Sequence, residues 1–163
     1  MVNVLGYFKD RIKSMNVYLS GEIHTDWREQ IIEKCSDLAI TFVGPVTDHA
    51  ASDDCGVEIL GEENSKFWHD HKSAKLNAVR TRNAIGKSDV VVVRFGDKYK
   101  QWNAAFDAGF ACALGKSLIT LHTVDHQHAL KEIDAAALVV AKSPEEVSDA
   151  LRYVATGKLP QSS

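Results

Sequence analysis

The sequence predicts a three-layer α/β domain: a sheet of five parallel strands with helices on both faces. Three observations carry this. Short apolar runs alternate with helical segments along the chain, the pattern of a parallel sheet built from strand–helix units. The run Asp89-Val-Val-Val-Val-Arg94 shows no polar alternation, so both of its faces are buried, as in a sheet covered on both sides. A length of 163 residues, with 45% hydrophobic and 25% charged side chains, suits one soluble domain with a proper core.

The elements follow in order. Residues 1–14, with Lys9, Asp10, Arg11 and Lys13, read as an appendage; 15–157 form the domain and 158–163 a loose tail. Met15-Asn-Val-Tyr-Leu-Ser20 is a buried strand ended by Gly21. Asp26-Trp-Arg-Glu29 has the form of a capping box, with Thr25 as the other candidate cap, and opens a helix striped by Trp27, Ile31, Cys35 and Leu38. Ile40-Thr-Phe-Val43 is a second strand closed by Gly44-Pro45. The acidic stretch 46–63, which holds Asp48, Asp53, Asp54, Glu58, Glu62 and Glu63, is too long for a plain connection unless it is functional or partly helical. A helix through about 65–86 leads to the valine strand. Next come a helix near 103–115, a strand at Ser117–His122, a short helix near 126–132 and a strand at Ala137–Ala141. A last helix follows Ser143-Pro144, with proline at its first position.

Composition excludes several classes of function. A net charge of −3 offers no electrostatic surface for a nucleic-acid polymer. Cys35, Cys55 and Cys112 are odd in number, widely spaced and without CxxC, which argues against a disulfide framework or zinc site and for a reducing cytosol. No apolar run approaches the ~20 residues of a membrane span, and the N-terminus lacks the marks of a signal peptide. The expected setting is cytoplasmic, with no membrane partner.

In an open parallel sheet, ligands bind at the carboxyl ends of strands where strand order reverses. The loops Ser20-Gly-Glu-Ile-His24 and Arg94 to Asn103 are placed there, and Gly21 and Gly96 permit close approach of backbone to ligand. Neither loop is GxGxxG or a P-loop, so no dinucleotide or nucleoside triphosphate is indicated and no cofactor is expected. Asp107 is the one charged side chain between Lys100 and Lys116, in a helix apolar nearly all round and therefore expected to be buried on most sides. Such a carboxylate must be hydrogen-bonded, paired or at work. With Asn103 one turn earlier, it suits either a nucleophile at a sugar C1 or an anchor for a neighbouring loop.

Other residues carry two readings each. Glu22 and His24 are candidate acid/base groups or loop hydrogen-bonders. Trp27, Trp68 and Trp102 fall beside the site loops, where an aromatic face could stack a base, though tryptophan is more often core. His69 and His71 flank Asp70, but on a helix the two rings diverge. They read as a solvated face rather than a metal cluster, as do His122, His126 and His128. Asp53 and Asp54 read as solvated in a segment that is a candidate lid.

The strings Val17-Tyr-Leu-Ser-Gly21, Ser88-Asp-Val-Val-Val-Val93 and Ala105-Phe-Asp-Ala-Gly-Phe-Ala-Cys-Ala-Leu-Gly-Lys116 resemble the nucleoside 2-deoxyribosyltransferase superfamily. More closely, Gly21-Glu-Ile-His-Thr-Asp-Trp-Arg28, Arg80-Thr-Arg82 and Phe95-Gly-Asp-Lys-Tyr-Lys-Gln-Trp-Asn-Ala-Ala-Phe-Asp107 are similar to the YtoQ family, over about residues 15–155. The resemblance implies a flavodoxin- or Rossmann-like five-stranded sheet, and a homodimer acting on the N-glycosidic bond of a deoxynucleoside or its 5′-monophosphate through a covalent sugar intermediate. It puts Asp107 in the nucleophile's place and Tyr18 in that of the first-strand tyrosine, with Gly21, Arg80, Thr81, Arg82, Gly96, Asp97, Trp102 and Asn103 around the substrate. Two departures stand out. Asp replaces the usual Glu and is shorter in reach by ~1.5 Å. Thr81 replaces an acid that would protonate the leaving base, while its neighbours Arg80 and Arg82 suit a phosphate or carboxylate. A non-catalytic nucleotide or sugar-phosphate binder using the same pocket is the other reading.

Overall fold

The computed structural model describes residues 14–98 and 101–160. The expected appendage therefore lies outside the described residues apart from Ser14. Of the expected tail, 158–160 carry no regular structure and 161–163 lie outside.

Five strands, β1 (Met15–Gly21), β2 (Ile40–Val43), β3 (Val90–Arg94), β4 (Ser117–Leu121) and β5 (Val139–Ala141), form one parallel sheet in the order β2-β1-β3-β4-β5. Adjacent pairs run in simple register, with Val17 opposite Val90 and Val90 opposite Ser117. The order reverses between β1 and β3, so their carboxyl ends open the crevice where such sheets bind ligands.

The strands divide their side chains between two cores. One face, with Val17, Leu19, Val90, Val92, Ile119 and Leu121, packs on Trp27 and Ile31 of α1 (Trp27–Lys34) and on Val147 and Leu151 of α7 (Pro144–Thr156). The other, with Tyr18, Val91, Val93 and Leu118, packs on Ile85 of α4 (Lys66–Lys87) and on Ala104, Ala108 and Ala111 of α5 (Trp102–Ala113). All four β3 valines are buried, each burial stabilising the fold by roughly 1.5–3 kcal/mol. Ser143 caps α7 by accepting from the Glu146 amide, with Pro144 at the first turn as expected.

One alternative is decided and three expectations change. The stretch 46–63 is partly helical: α2 (His49–Asp53), capped by Asp48, and α3 (Cys55–Leu60) lie along α4. Gly56 lets them seat, since a Cβ there would stand 2.3 Å from the Ser73 amide nitrogen. The capping box at Asp26 is not formed; its carboxylate takes the Gln30 amide, while Thr25 donates to Glu22. The short helix near 126–132 is instead a 3-10 turn at Val124–His126 followed by α6 (Lys131–Ala136), which sets Asp134 against the end of β4. There it accepts from Thr120 at 2.9 Å and pairs with His122 Nε2 at 3.0 Å. His122 is thus not on a solvated face but buried, its other ring nitrogen 2.7 Å from the Thr123 carbonyl.

Candidate functional site

A cavity of about 780 Å³ opens on the α4–α5 face of the sheet, beside the point where strand order reverses. Its floor is β1, which contributes Tyr18 and Ser20; its walls are α4, with Asn77, Arg80, Thr81 and Arg82, and α5, with Asn103, Phe106 and Asp107. The Gly21–His24 turn closes one end, and Ser52 and Asp53 of the 46–63 segment reach the rim. This segment is where a lid was expected.

Gly21 makes the site's backbone possible. Its φ is +101°, a conformation L side chains rarely adopt, and a Cβ there would fall 2.1 Å from the Arg94 carbonyl oxygen. The exits of β1 and β3 therefore press together, and Glu22 donates its backbone amide to Arg94 O at 3.2 Å.

Asp107, half-buried in the second turn of α5, accepts the Ser20 hydroxyl on Oδ2 at 2.5 Å. Burial raises its carboxyl above the ordinary aspartate value, and the Ser20 hydrogen bond opposes the rise. Tyr18 is fully buried, its hydroxyl 3.4 Å from Thr81 Oγ1. Burial, only partly offset by that contact, raises its phenol, so it remains a neutral hydroxyl at physiological pH.

Glu22 is buried and tied down. Burial alone would raise its carboxyl, but the Thr25 hydroxyl at 2.6 Å, the His24 amide and the Arg94 charge outweigh this and leave it below the ordinary value. Arg94 Nε stands 3.4 Å from Glu22 Oε2, an electrostatic contact without hydrogen-bond geometry. A carboxylate so held is a poor proton donor. His24 is exposed on the rim, its ring 6.3 Å from that of His49.

The structure thus brings Tyr18, Gly21, Glu22, His24, Arg80, Thr81, Arg82, Asn103 and Asp107 to one cavity. Arg80 and Arg82 make no ion pair among the described residues, and Arg82 lies 6.0 Å from the Phe110 ring centroid. Three expected substrate residues are not in the cavity lining. Gly96 packs against Glu22, where a Cβ would meet its Cγ at 2.4 Å. Asp97 turns toward Thr123 and His126, at 3.3 and 3.7 Å. Trp102, 75% exposed, lies outside the lining, as does Trp68; Trp27 is buried in the core and donates to Glu22 O. The expectation that α5 is buried on most sides also fails, since Trp102 and, at the cavity wall, Phe106 are largely exposed. His69 pairs with Asp54 and Asp70, and no cluster suited to a metal occurs among the described residues.

Two residues escaped the sequence reading. Ser20, on the strand's last turn inward, is the partner of Asp107. Arg28 is buried and gives all three kinds of guanidinium nitrogen to main-chain carbonyls. The signal for Arg28 was an arginine on the core side of an amphipathic helix, next to Trp27 in the buried stripe.

The family model for "Nucleoside 2-deoxyribosyltransferase YtoQ" matches residues 18–155. This chain belongs to the YtoQ family. An uncharacterised YtoQ protein of Bacillus subtilis is 43% identical over 140 residues, which span 85% of this chain and 95% of that protein. Solved structures share the YtoQ chain's fold at low identity. A conserved protein from Enterococcus faecalis superposes with a TM-score of 0.58 at 17% identity, over 86% of this chain and 98% of its own. A 2-deoxyribosyltransferase from Bacillus psychrosaccharolyticus gives 0.51 at 15%, over 82% and 90%. A CMP N-glycosidase from Clostridium botulinum gives 0.50 at 16%, over 85% and 98%.

Proposed function

We propose that this protein cleaves the N-glycosidic bond of a deoxynucleoside or its 5′-monophosphate, with Asp107 as nucleophile. The observation that carries the reading is the Ser20–Asp107 pair. It sets a half-buried carboxylate, held through one oxygen, in the wall of a cavity at the strand-order reversal. Membership of the YtoQ family and the activities named for two neighbours of the same fold support the substrate class.

In this mechanism Asp107 Oδ1 attacks C1′ of the sugar, while Ser20 steadies Oδ2. The C1′–N bond breaks, its electron pair stays on the base, and the base takes up a proton. The resulting glycosyl–aspartate ester is displaced by a second base or by water. Tyr18, a neutral buried hydroxyl, orients the sugar; Arg80 and Arg82 offer donors to a 5′-phosphate or to the base. Thr81 supplies no acid, and Glu22 is held ionised, so His24 or solvent delivers the proton.

One observation favours the second reading, a binder without chemistry: the wall opposite Asp107 presents the Thr81 hydroxyl, in contact with Tyr18, where an acid would be needed. A panel of deoxynucleosides and their 5′-monophosphates separates the two. Free base that disappears in Asp107→Asn supports the enzyme. Thermal stabilisation by a nucleotide without base release supports the binder. Release unchanged in Asp107→Asn rules out the nucleophile.

We also propose a homodimer. Trp102 and Phe106 of α5 and Leu114 just beyond its end are 75%, 62% and 45% exposed, with Phe106 also bordering the cavity, and large apolar side chains left open at one helix are ordinarily covered by a partner.

A further inference from the structure

Arg28 is a buried cation that the chemistry above does not use. Its residue is 7% exposed, and no carboxylate among the described residues forms an ion pair with it. Its Nε donates to Leu19 O at 3.0 Å, Nη2 to Gly21 O at 3.0 Å and Nη1 to Glu22 O at 2.6 Å. The guanidinium lies 4.5 Å from the Trp27 ring centroid. Burial lowers it to about 10, against the pull of the Glu22 charge.

The need for this clamp comes from the sheet. Pairing of β1 with β2 ends at Tyr18 opposite Val43, after which β2 turns away through Gly44. Backbone groups alternate direction along a strand, so the Leu19 and Gly21 carbonyls both point to the edge that β2 has left. Buried carbonyls without partners are costly. One planar fork satisfies both and reaches the Glu22 carbonyl as well; a lysine ammonium, a single point of charge, matches that spread poorly. Gly44 lies directly against it: a Cβ there would stand in ordinary van der Waals contact, 3.5 Å from Leu19 O and 3.7 Å from Arg28 Nε.

The two edge carbonyls bracket Ser20, whose hydroxyl holds Asp107 across the cavity. We propose that Arg28 is a positioning residue: by pinning the backbone on either side of Ser20 it fixes that hydroxyl, and through it the carboxylate of Asp107. Its importance for catalysis rests on the nucleophile reading above; the coupling from Arg28 to Asp107 does not.

The test follows the Asp107 carboxyl directly, by carbon-13 NMR titration of aspartate-labelled protein, with base release measured on the same samples. Arg28→Lys is compared with wild type and with Ser20→Ala. Gly44→Val, whose γ-methyls extend beyond that contact distance toward a guanidinium left in place, serves as the second variant should Arg28→Lys not fold. The expected result is an Asp107 midpoint displaced upward, in the direction given by Ser20→Ala. Turnover should fall about tenfold or more with KM held within about threefold, since small displacements of a reacting group are costly. A folded variant with a lowered melting temperature but wild-type Asp107 titration and turnover would make Arg28 merely structural and overturn the proposal. If wild type releases no base from any substrate, the nucleophile reading fails while the titration still decides the coupling.

Discussion

The proposed chemistry rests on Asp107 and Ser20, and their surroundings fix how each responds to change. A carboxyl raised by burial weakens the fold wherever it is ionised in the folded state at a cost not met in the unfolded chain. Asp107→Asn keeps an acceptor for Ser20 and removes that cost. Its melting temperature should therefore exceed wild type at pH 7, and the gain should vanish below the ordinary aspartate range, where the carboxyl is protonated in both states. Base release should fall by about 10³-fold or more in the same variant, as expected for loss of a nucleophile. A melting temperature unchanged at pH 7 would show that burial does not tax the charge. Gly21 is a second residue-scale test. Gly21→Ala combines a strained φ with a 2.1 Å clash on Arg94 O and should cost about 3 kcal/mol or more by urea unfolding. A near-neutral result would mean that the β1 and β3 exits can separate. Of these residues, Asp107 was legible because charge is rare in an apolar helix. Ser20 was not, because a serine at a strand end has no pattern that distinguishes it from any other.

At the scale of elements, α5 is the informative one. Its inner face is alanine: Ala104, Ala108 and Ala111 are buried, which lets the helix lie close on the sheet. Its larger side chains are not on that face: Trp102 is exposed, and Phe106, at the cavity wall, is largely exposed too. Composition reads the helix as apolar all round but cannot say which face a single chain covers. If a second copy covers the outer face, Trp102→Glu should convert a dimer to a monomer by sedimentation velocity. It should also make thermal stability less dependent on protein concentration, as mass action requires. Wild type sedimenting as a monomer at tens of micromolar would end the dimer proposal. In the segment 46–63 the length pointed to a functional or partly helical stretch, and the helical reading holds: Asp48 caps α2, and Gly56 beds the pair of short helices on α4.

For the molecule as a whole, pH stability tracks the Glu22 cage that joins β1, α1 and β3. Its folded carboxyl lies below the ordinary glutamate value, so the cage stabilises fully above that value and is lost as pH falls through the folded one. Wild type should therefore lose stability on acidification below about pH 4.5, the ordinary glutamate value, and Glu22→Gln should be less stable at neutral pH but lose less on acidification. Parallel acid curves for the two proteins would place the acid sensitivity elsewhere. What the sequence determined by itself was the strand–helix alternation, the doubly buried valine strand, the strand whose carboxyl end faces the site and the isolation of Asp107. Each of these is written in local pattern, because periodicity and burial act on neighbouring residues. The tertiary structure alone decided that Ser20 meets Asp107, that Glu22 is locked by Thr25 and Arg94, that His122 is buried on Asp134, and that Arg28 seals the edge left by β2. Those contacts join residues on different elements, and which groups meet there depends on where each strand stops and how the helices pack, not on the spacing of residues along the chain.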